Sequence, residues 1–370
     1  MKTSMRREKL LKNLESHGVN ALLVATPENR RYLSGFSGSA GFLLLGPEHN
    51  QIIADGRYWA QCADQCPDLE LVKFRMEEHK SLIECAAQQV KGDSGVLGVE
   101  GRQLVVADFQ ALQRALPEGW SVQSIDDAVE QIRQCKDEHE LELMRKAAQV
   151  ADRAFRLALN SLKAGMHERD FCLELEYQMQ KLGARKPAFD SIVASGPNGA
   201  FPHAGVTDRV INQHELITVD FGAYRDGYNS DITRTIWLGH LNERNRFIYQ
   251  SVRDAQQRAV DAVKPGKTCK EIDAVARQSL IDAGLGEYFS HGLGHGIGLA
   301  VHELPGVRST SEVVLEPGMV ITIEPGVYIP GETGCRIEDS VLVTAHGCEK
   351  LTRSSYQQLD QSHPLEAVGA

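Results

Sequence analysis

Five side chains in the C-terminal half of the chain have the chemistry of a metal site. They are Asp220, Asp231, His295, Glu324 and Glu338, and each lies in a short apolar or glycine-rich segment. Four carboxylates and one imidazole form an oxygen-rich donor set, which suits Mn²⁺ and also accepts Co²⁺, Zn²⁺ or Fe²⁺. We therefore expect these residues to hold two divalent metal ions per subunit, with Mn²⁺ as the preferred ion.

A solvated surface position is the alternative interpretation for any one of these carboxylates, because Asp and Glu are mostly exposed in proteins. A single buried histidine is likewise more often a hydrogen-bonded core residue than a ligand. The apolar residues around the carboxylates argue against this alternative, since charge is avoided in such surroundings unless it is compensated. The joint occurrence of all five residues favours a metal site.

Residues 216–238 predict a β-hairpin that places the two aspartates on one face. Asp226-Gly227 is a dipeptide preferred in two-residue hairpin turns. Counting outward from this turn predicts the cross-strand pairs Arg225 with Tyr228, Gly222 with Asp231, and Asp220 with Thr233. The two aspartates are then diagonal neighbours, roughly 7–8 Å apart at the backbone, which is a span that two metal ions can fill.

A second hairpin is predicted over residues 319–344, with turn-forming residues at 330–334. If the turn is centred near Gly331, Glu324 lies directly opposite Glu338. Two like charges in this position destabilise a sheet, and four buried carboxylates need positive charge nearby to stay ionised. Two divalent ions would supply four positive charges and make the cage neutral.

The elements that position these hairpins are predicted to form two domains. Residues 1–128 alternate helical segments with short apolar strands at 21–25, 41–45, 51–54 and 96–99, which predicts an α/β domain. A linker at 129–136 leads to a second domain at 137–360. Its predicted helices run from Asp137 to Gly165, from about His167 to Gly183, from about Asn242 to Lys264, and from a capping box at Thr268 and Glu271 to near Gly284.

These helices come in pairs, and each pair precedes one of the two hairpins. The second domain is therefore interpreted as an internal duplication of a helix-helix-hairpin unit. Each copy supplies one pair of carboxylates, so the metal site is expected at the seam between the copies.

Composition is typical of a soluble globular enzyme. The chain has 370 residues, 42% of them hydrophobic and 24% charged, with a formal net charge of −10. Without a cluster of Lys and Arg, nucleic acid is not an expected partner. The sequence shows neither an apolar signal core nor a membrane-spanning run, so no membrane partner is expected and the protein is placed in the cytoplasm. The eight cysteines are scattered and are expected to be reduced and mostly buried.

Further motifs give the chain a family resemblance. The segment from Asn29 to Ser39 and the segment from Ala54 to Tyr58 are similar to those of bacterial Xaa-Pro aminopeptidases. With the five metal-type residues, the region 135–350 resembles the M24 metallopeptidases, and the whole chain resembles their Xaa-Pro aminopeptidase and prolidase branch. The resemblance implies an α+β fold, in which a smaller α/β creatinase-type domain precedes a pita-bread catalytic domain of two pseudo-symmetric helix-helix-hairpin halves.

The resemblance also implies a role for each metal-type residue. Asp220 would bind one metal ion, while Asp231 and Glu338 would bridge both ions. His295 and Glu324 would complete the coordination of the other ion.

Five pocket residues gain roles in the same way. His203 would contact the substrate, His302 would steady the scissile carbonyl, and His291 would be a third histidine of the substrate pocket. Tyr328 and Arg336 would also lie around the bound substrate. For the three histidines, an ordinary structural position is the alternative.

The activity implied is hydrolysis of the Xaa-Pro bond at the N-terminus of peptides by a metal-bridging hydroxide. His302 would offset the charge that develops on the carbonyl oxygen, and Glu324 would relay the proton to the leaving nitrogen. The leading hypothesis is an Xaa-Pro aminopeptidase, the alternative is an Xaa-Pro dipeptidase (prolidase), and a distant alternative is a non-catalytic peptide-binding module. Short proline-containing peptides are the expected partners, and the resemblance suggests a homodimer.

Overall fold

A computed structural model describes residues 2–367 of the chain, and these form two compact units. The first unit extends to Arg133 and the second begins at Gln134. This division falls within the segment 129–136, which the sequence analysis assigned to a linker, although Glu130–Arg133 is helical. The domain bounds 1–128 and 137–360 stay predictions.

The first unit contains a six-stranded sheet with helices. Its strands are β1 (Ala21–Val24), β2 (Phe42–Gly46), β3 (His49–Ala54), β4 (Glu70–Lys73), β5 (Gly95–Glu100) and β6 (Trp120–Ile125). Its helices are α1 (Thr3–Ser16), α2 (Pro27–Ser34), α3 (Trp59–Gln65), α4 (Leu82–Ala87), α5 (Val106–Ala115) and α6 (Glu130–Arg133). The strand order is β4-β3-β2-β1-β5-β6, with β1–β5, β3–β4 and β5–β6 parallel and the other pairs antiparallel.

The predicted α/β character of this unit is confirmed, and the four predicted strands are the central strands of the sheet. The two strands that the sequence analysis missed, β4 and β6, lie at its two edges. Most of their residues are not buried, so their sequences lack the apolar runs by which buried strands are recognised.

The second unit begins with two helices and continues with a second helix pair after the first hairpin. The four helices are α7 (Glu138–Ala158), α8 (Glu168–Lys181), α9 (Glu243–Ala262) and α10 (Cys269–Asp282). Capping boxes are present at Asp137 with Glu140 and at Thr268 with Glu271, and the sequence indicated both helix starts. In each box the two side chains satisfy backbone N–H groups that have no partner within the helix.

One helix end was predicted wrongly. The helix from Asp137 was expected to reach Gly165, but α7 ends at Ala158. The Asn160 amide donates to the Leu157 carbonyl and the Ser161 hydroxyl donates to the Ala158 carbonyl. Such side chains satisfy the last helical carbonyls and let the chain leave the helix early.

The strands of the second unit form four small sheets. They are β7 (Lys186–Pro187), β8 (Ile192–Ser195), β9 (Ile217–Phe221), β10 (Ala223–Arg225), β11 (Tyr228–Asn229), β12 (Ile232–Ile236), β13 (Gly294–Gly296), β14 (Glu303–Val307), β15 (Val320–Ile323), β16 (Gly326–Ile329), β17 (Thr333–Arg336), β18 (Asp339–Val343) and β19 (Cys348–Lys350). The strand orders are β11-β10-β7, β12-β9-β8, β14-β13-β15-β18-β19 and β16-β17.

The first hairpin has the predicted register. Arg225 pairs with Tyr228 at the turn, and Asp220 pairs with Thr233 farther along. The ladder is interrupted between these points, so the hairpin belongs to two sheets, with β10 and β11 in one and β9 and β12 in the other. Asp231 lies at the interruption.

The second hairpin repeats this arrangement. Strands β16 and β17 pair Gly326 with Arg336, and β15 and β18 pair Ile323 with Asp339. Both ladders follow one register centred on Gly331, and this register places Glu324 opposite Glu338 as predicted. The ladder is again interrupted at the acidic residues.

The second unit is a duplication in its packing as well as in its element order. We call residues 138–238 the first half and residues 243–343 the second half. The first half has its own apolar cluster, which joins α7 and α8 to β9 and β12, for example through Phe171 and Phe221. The second half has another, which joins α9 and α10 to β15 and β18, for example through Ile272 and Ile321.

All eight cysteines are free thiols, and six of them are buried. Within residues 2–367, none of the helices combines the length and the apolar composition that crossing a membrane would require.

Candidate metal centre

The interruptions of the two hairpins bring the acidic residues together. A Cβ atom added to Gly222 would collide with the Ser230 carbonyl, so a glycine is needed where the first hairpin opens beside Asp231. In the second hairpin, Pro325 follows Glu324 and has no N–H group for a ladder bond. Both openings release backbone groups from their own hairpin.

The released groups bond to other elements. The Glu338 N–H donates to the Thr233 carbonyl at 3.1 Å, and this bond joins the second hairpin to the first. The Glu324 N–H donates to the Leu293 carbonyl at 2.9 Å, which fixes the segment that leads into His295. The backbone therefore holds the acidic residues of both halves and the histidine in one place.

The donor atoms of the predicted cage converge. One donor atom each from Asp231, His295 and Glu338 lies within 4.8 Å of the others. His295 Nε2 is 3.3 Å from Glu324 Oε1 and 3.6 Å from Asp231 Oδ2. This spacing leaves room for cations between the donor atoms.

Three carboxylate oxygens of the cage are buried without a hydrogen-bond partner among the described residues 2–367. They are Asp220 Oδ1, Asp231 Oδ1 and Glu338 Oε1. The other oxygens of Asp220 and Glu338 accept hydrogen bonds from Arg336 and Thr233. Buried polar atoms are nearly always paired, so three unpaired oxygens that face one cavity fit a divalent metal ion as their missing partner.

The tautomer of His295 also fits a metal ligand. Its Nδ1 atom lies 3.0 Å from the Gly296 carbonyl, and a carbonyl can only accept, so Nδ1 carries the proton. The Nε2 atom then offers a lone pair towards the carboxylates. Backbone carbonyls orient metal-binding histidines in this way.

In the metal-free protein Asp231, Glu324 and Glu338 are driven towards their neutral forms. Burial, with the repulsion of neighbouring carboxylates, raises the pKa of Asp231 and of Glu338 well above the ordinary values. Burial raises the pKa of Glu324 to about 7, and burial lowers the pKa of His295. Cations in the cage would reverse this tendency, because metal binding requires deprotonated carboxylates and a neutral imidazole.

Arg336 brings a positive charge into the cage that the sequence analysis did not count. It donates to Asp220 Oδ2 at 2.6 Å and to the Tyr328 hydroxyl at 2.8 Å, and it is 3% exposed. Burial alone would lower the pKa of its guanidinium, but Tyr328, Asp220 and Glu324 raise that pKa, so it stays charged. With all four carboxylates ionised, the cage residues and Arg336 together carry a net charge of −3, and two divalent ions would leave one positive charge for an anion.

A hydrogen-bond chain extends from Arg336 to His291. The His291 Nδ1 atom lies 2.7 Å from the Gly292 carbonyl and is protonated for that reason, so Nε2 accepts from the Tyr328 hydroxyl at 3.0 Å. Burial lowers the pKa of His291 to about 4 and raises that of Tyr328 to about 12. Both stay neutral at physiological pH, and their predicted contacts with substrate stay predictions.

A cavity of about 920 Å³ lies in front of the cage and is lined by all ten predicted site residues. His203 and His302 are the exposed ones among them. The His302 ring packs edge-on against the His295 ring, with 4.4 Å between ring centroids. The two histidines are placed to meet a ligand that enters the cavity.

Arg308 lies at the site but was not predicted from the sequence. Arg308 lines the cavity, and an added Cβ at Gly306 would lie 3.7 Å from its Nε atom, so its side chain covers that glycine. Among residues 2–367, no carboxylate lies within ion-pair distance of Arg308. Arg308 directly follows β14, the strand that begins next to His302, so a cationic residue soon after His302 is the signal that could have identified it.

Comparison with known proteins identifies the family. Residues 142–345, more than half of the chain, match the family model described as metallopeptidase family M24. The chain belongs to this family. Residues 6–135 match the creatinase/prolidase N-terminal domain, which confirms the expected order of a creatinase-type domain and an M24 catalytic domain.

Named M24 relatives cover almost the whole chain. An Xaa-Pro dipeptidase of Pyrococcus furiosus is 38% identical over 358 residues, which is 96% of this chain and 99% of that protein. The solved structure of an Xaa-Pro dipeptidase from Bacillus anthracis has a TM-score of 0.92 and 39% identity, and it covers 97% of this chain and 99% of that one. An X-Pro aminopeptidase structure from Thermotoga maritima has a TM-score of 0.83 and 34% identity, with 94% and 97% covered.

These findings establish a metal-dependent hydrolase of the M24 peptidases with a creatinase-type N-terminal domain. The predicted fold class and the predicted enzyme class are confirmed. M24 membership also implies divalent metal ions, which agrees with the unpaired oxygens of the cage.

Proposed function

We propose that this protein is an Xaa-Pro dipeptidase that binds two divalent metal ions, with Mn²⁺ preferred, through Asp220, Asp231, His295, Glu324 and Glu338. The observation that best supports this proposal is that the five residues converge at one cavity. Three of their buried oxygens have no hydrogen-bond partner among residues 2–367. The names of the relatives support the dipeptidase over the aminopeptidase that led the sequence analysis. The homodimer stays a prediction.

The chain's residues have distinct parts in this reaction. When bound, two divalent ions supply Lewis acidity and lower the pKa of water. Glu324 is placed to take the proton of the attacking water and to return it to the departing nitrogen. His302, exposed beside His295, is placed to donate to the carbonyl oxygen on which negative charge develops. His203, which is exposed and lines the same cavity, is placed to contact the substrate.

Arg308 supports a dipeptide as the substrate. A dipeptide carries a free carboxylate on its proline, and this group needs a cationic partner inside the cavity. Arg336 already bonds to Asp220, Tyr328 and Pro202, whereas the exposed Arg308 guanidinium faces the cavity without a carboxylate partner among residues 2–367. A guanidinium can bind a carboxylate through two parallel hydrogen bonds.

Proline as the second residue agrees with the design of the site. The Xaa-Pro bond has no amide N–H, so recognition through strand-like backbone pairing is weakened. The substrate must instead be recognised by its shape and by its two charged ends. Arg308 provides a partner for the carboxylate end.

The test compares peptides that differ at the carboxyl end. After chelation and reconstitution with Mn²⁺, the protein should cleave Ala-Pro and should act poorly on Ala-Pro-NH₂, Ala-Pro-Ala and Ala-Ala. The chelated protein should be inactive. Faster cleavage of Ala-Pro-Ala than of Ala-Pro would establish an aminopeptidase, and full activity without metal would refute the proposal.

The variant Arg308→Gln tests whether Arg308 binds the carboxylate of the dipeptide. A hydrogen bond between charged groups contributes about 1.5–3 kcal/mol, so KM for Ala-Pro should rise roughly tenfold to a hundredfold. The weak cleavage of Ala-Pro-NH₂ should not change, because that substrate lacks the carboxylate. Arg258→Gln, at an exposed position of α9, is the matched control and should leave both substrates unaffected. Equal losses on both substrates would exclude Arg308 as the carboxylate partner.

A further inference from the structure

A buried ion pair lies directly beside His302 and has no part in the reaction described above. Lys136 Nζ is 2.7 Å from Glu303 Oε1, and the two side chains are 2% and 5% exposed. Glu303 follows His302 in the chain, and Lys136 precedes α7 by two residues. The pair is thus close to a proposed functional residue while its own charges are shielded from the cavity.

Stability is a weak explanation for such a pair. Removing two charges from water costs free energy that their attraction often fails to recover, and apolar residues of similar volume frequently replace buried pairs without loss of stability. A close buried ion pair, by contrast, can fix the chain in a single conformation. The surroundings of the pair indicate what it fixes.

The segment between β13 and β14, residues 297–302, ends at His302 and is called the His302 loop. This loop wraps around the ion pair. The Ala300 N–H donates to Glu303 Oε2 at 3.3 Å. An added Cβ at Gly298 would lie 2.6 Å from Glu303 Oε1 and 3.1 Å from Lys136 Cε, so the loop backbone passes directly over the paired charges.

Lys136 and the His302 loop are each tied to a neighbouring segment. The Lys136 N–H donates to the Gly318 carbonyl at 2.8 Å, just before β15. On the other side of the His302 loop, Asn229 donates through its amide to the carbonyls of Gly298 and Leu299 at 3.1 and 2.9 Å. Asn229 lies two residues before Asp231, so the loop is fixed between the first hairpin and the ion pair.

We infer that Lys136 and Glu303 form a positioning pair that holds the His302 imidazole over the metal cage. The inference rests on the proposed function, in which His302 meets the scissile carbonyl. The pair acts through His302 and touches neither substrate nor metal. Losing it would leave the cage intact while His302 moves away from its working position.

The first variant is Lys136→Met/Glu303→Leu, which removes both charges. The apolar double variant should fold and melt at or above the parent temperature, since no buried charge is left unpaired. A displacement of about 1 Å can reduce a rate about 10²-fold, so kcat for Ala-Pro should fall by that order, with KM within about twofold and unchanged Mn²⁺ content. Full kcat in a folded double variant would overturn the inference.

A double-mutant cycle with His302→Ala separates positioning from general destabilisation. If the pair acts through His302, adding Lys136→Met/Glu303→Leu to His302→Ala should lower kcat no further. Multiplied losses would mean that the pair acts elsewhere and would overturn the inference. Coupling of this kind is expected only for residues that share one function.

A measurement of the His302 environment by NMR does not require turnover, so it tests the positioning role independently of the proposed function. In spectra of ¹⁵N-histidine-labelled protein, the His302 resonances, assigned with His302→Ala, should shift or broaden in the double variant. Those of His346, which is exposed in the same unit, should not change. Unchanged His302 resonances would refute the positioning role, whereas a parent protein inactive on Ala-Pro would refute only the proposed dipeptidase activity.

Discussion

The two halves of the second unit build similar hairpins, but they fix their loops by different means. The first half opens its hairpin at Gly222 and contributes Asp220 and Asp231. The second half opens its hairpin beside Pro325 and contributes Glu324, Glu338, His295 and the compensating Arg336, which bonds to Asp220 of the first half. The proposed metal centre therefore draws its ligands from both halves, and neither half would be complete alone.

The loop that carries His203 is anchored by a carboxylate with neutral donors. Glu168, the first residue of α8, is buried and accepts from Ser195, Asn198 and Thr207. These bonds hold residues 196–207, which we call the His203 loop. That loop contains none of the cage residues.

The corresponding anchor in the second half is an ion pair. Asp273, in the second turn of α10, is buried and accepts from Arg277 at 2.8 and 2.9 Å and from the Leu293 N–H at 3.1 Å. Arg277 also donates to the carbonyls of Phe289 and His291. In both halves a buried acid on the second helix of the helix pair anchors a loop. The acid stands at a different position of its helix in each half, and its hydrogen-bond partners differ.

The largest expected effect tests whether both halves are needed. Asp231→Asn, from the first half, and Glu338→Gln, from the second, should each reduce kcat/KM on the order of 10³-fold or more, about 4 kcal/mol of transition-state stabilisation. Each should also bind fewer than two Mn²⁺ ions per chain, as measured by elemental analysis.

Thermal unfolding of the metal-free variants serves as their folding control. Because the amides remove a carboxyl group whose pKa burial raises, the metal-free variants should melt no lower than the metal-free parent. If one of the two variants keeps both ions and full turnover, its half does not contribute that ligand.

An intermediate effect tests the two anchors. Partners outside the first coordination sphere typically contribute about 10–100-fold in metal affinity or activity. Asp273→Asn should lower both quantities, because its bond to Leu293 fixes the chain two residues before His295. Glu168→Gln should lower kcat/KM with unchanged Mn²⁺ affinity, since the His203 loop holds no ligand.

Titration of Mn²⁺ into the two chelated variants gives the affinities, and Asp282→Asn, exposed on α10, is the control. Equal losses of affinity in both anchor variants would contradict the division of roles between the halves.

An effect on stability alone, without turnover, concerns the acids of the metal-free cage. The folded-state pKa of Glu324 is raised to about 7, above its ordinary value of 4.5. The stability that this group contributes is fully present below about pH 4.5 and is lost as pH rises through about 7, because the folded state then binds more protons than the unfolded state.

Between pH 5 and pH 8, the free energy of unfolding of the metal-free parent should therefore fall more than that of Glu324→Gln. The expected difference is about 1.4 kcal/mol for each unit by which the folded-state and unfolded-state pKa values of Glu324 differ. Chemical unfolding at the two pH values measures the difference. Added Mn²⁺ should stabilise the parent most at pH 8. Glu312→Gln, on the surface, should behave like the parent, and identical pH profiles for Glu324→Gln and the parent would contradict the assigned direction.

Turn and capping patterns, which involve only a few neighbouring residues, correctly predicted the local structure. The Asp226-Gly227 turn determined the register of the first hairpin, and the break around Gly331 did so for the second. The capping box at Thr268 marked the start of α10. Alternation of apolar and polar residues then placed the acids of each hairpin on one face, so most of the cage was visible in the sequence.

Residues whose partners are distant in the chain could not be predicted in this way. Glu168 and Asp273 have the composition of ordinary helix surface, yet both are buried by loops that follow them. The Lys136–Glu303 pair joins residues 167 positions apart in the numbering of the chain. The exposed edge strands β4 and β6 were missed because only their neighbours show that they belong to the sheet.

The sequence by itself determined the two hairpins, their register and the five residues of the cage, and its family resemblance supplied five more of the residues that line the cavity. Only the tertiary structure decided that the hairpins open where they meet, that Arg336 compensates Asp220, and that anchored loops hold the histidines. The physical reason is that turns, caps and strand alternation are set by neighbouring residues, whereas burial and charge compensation depend on which distant segments the fold brings together.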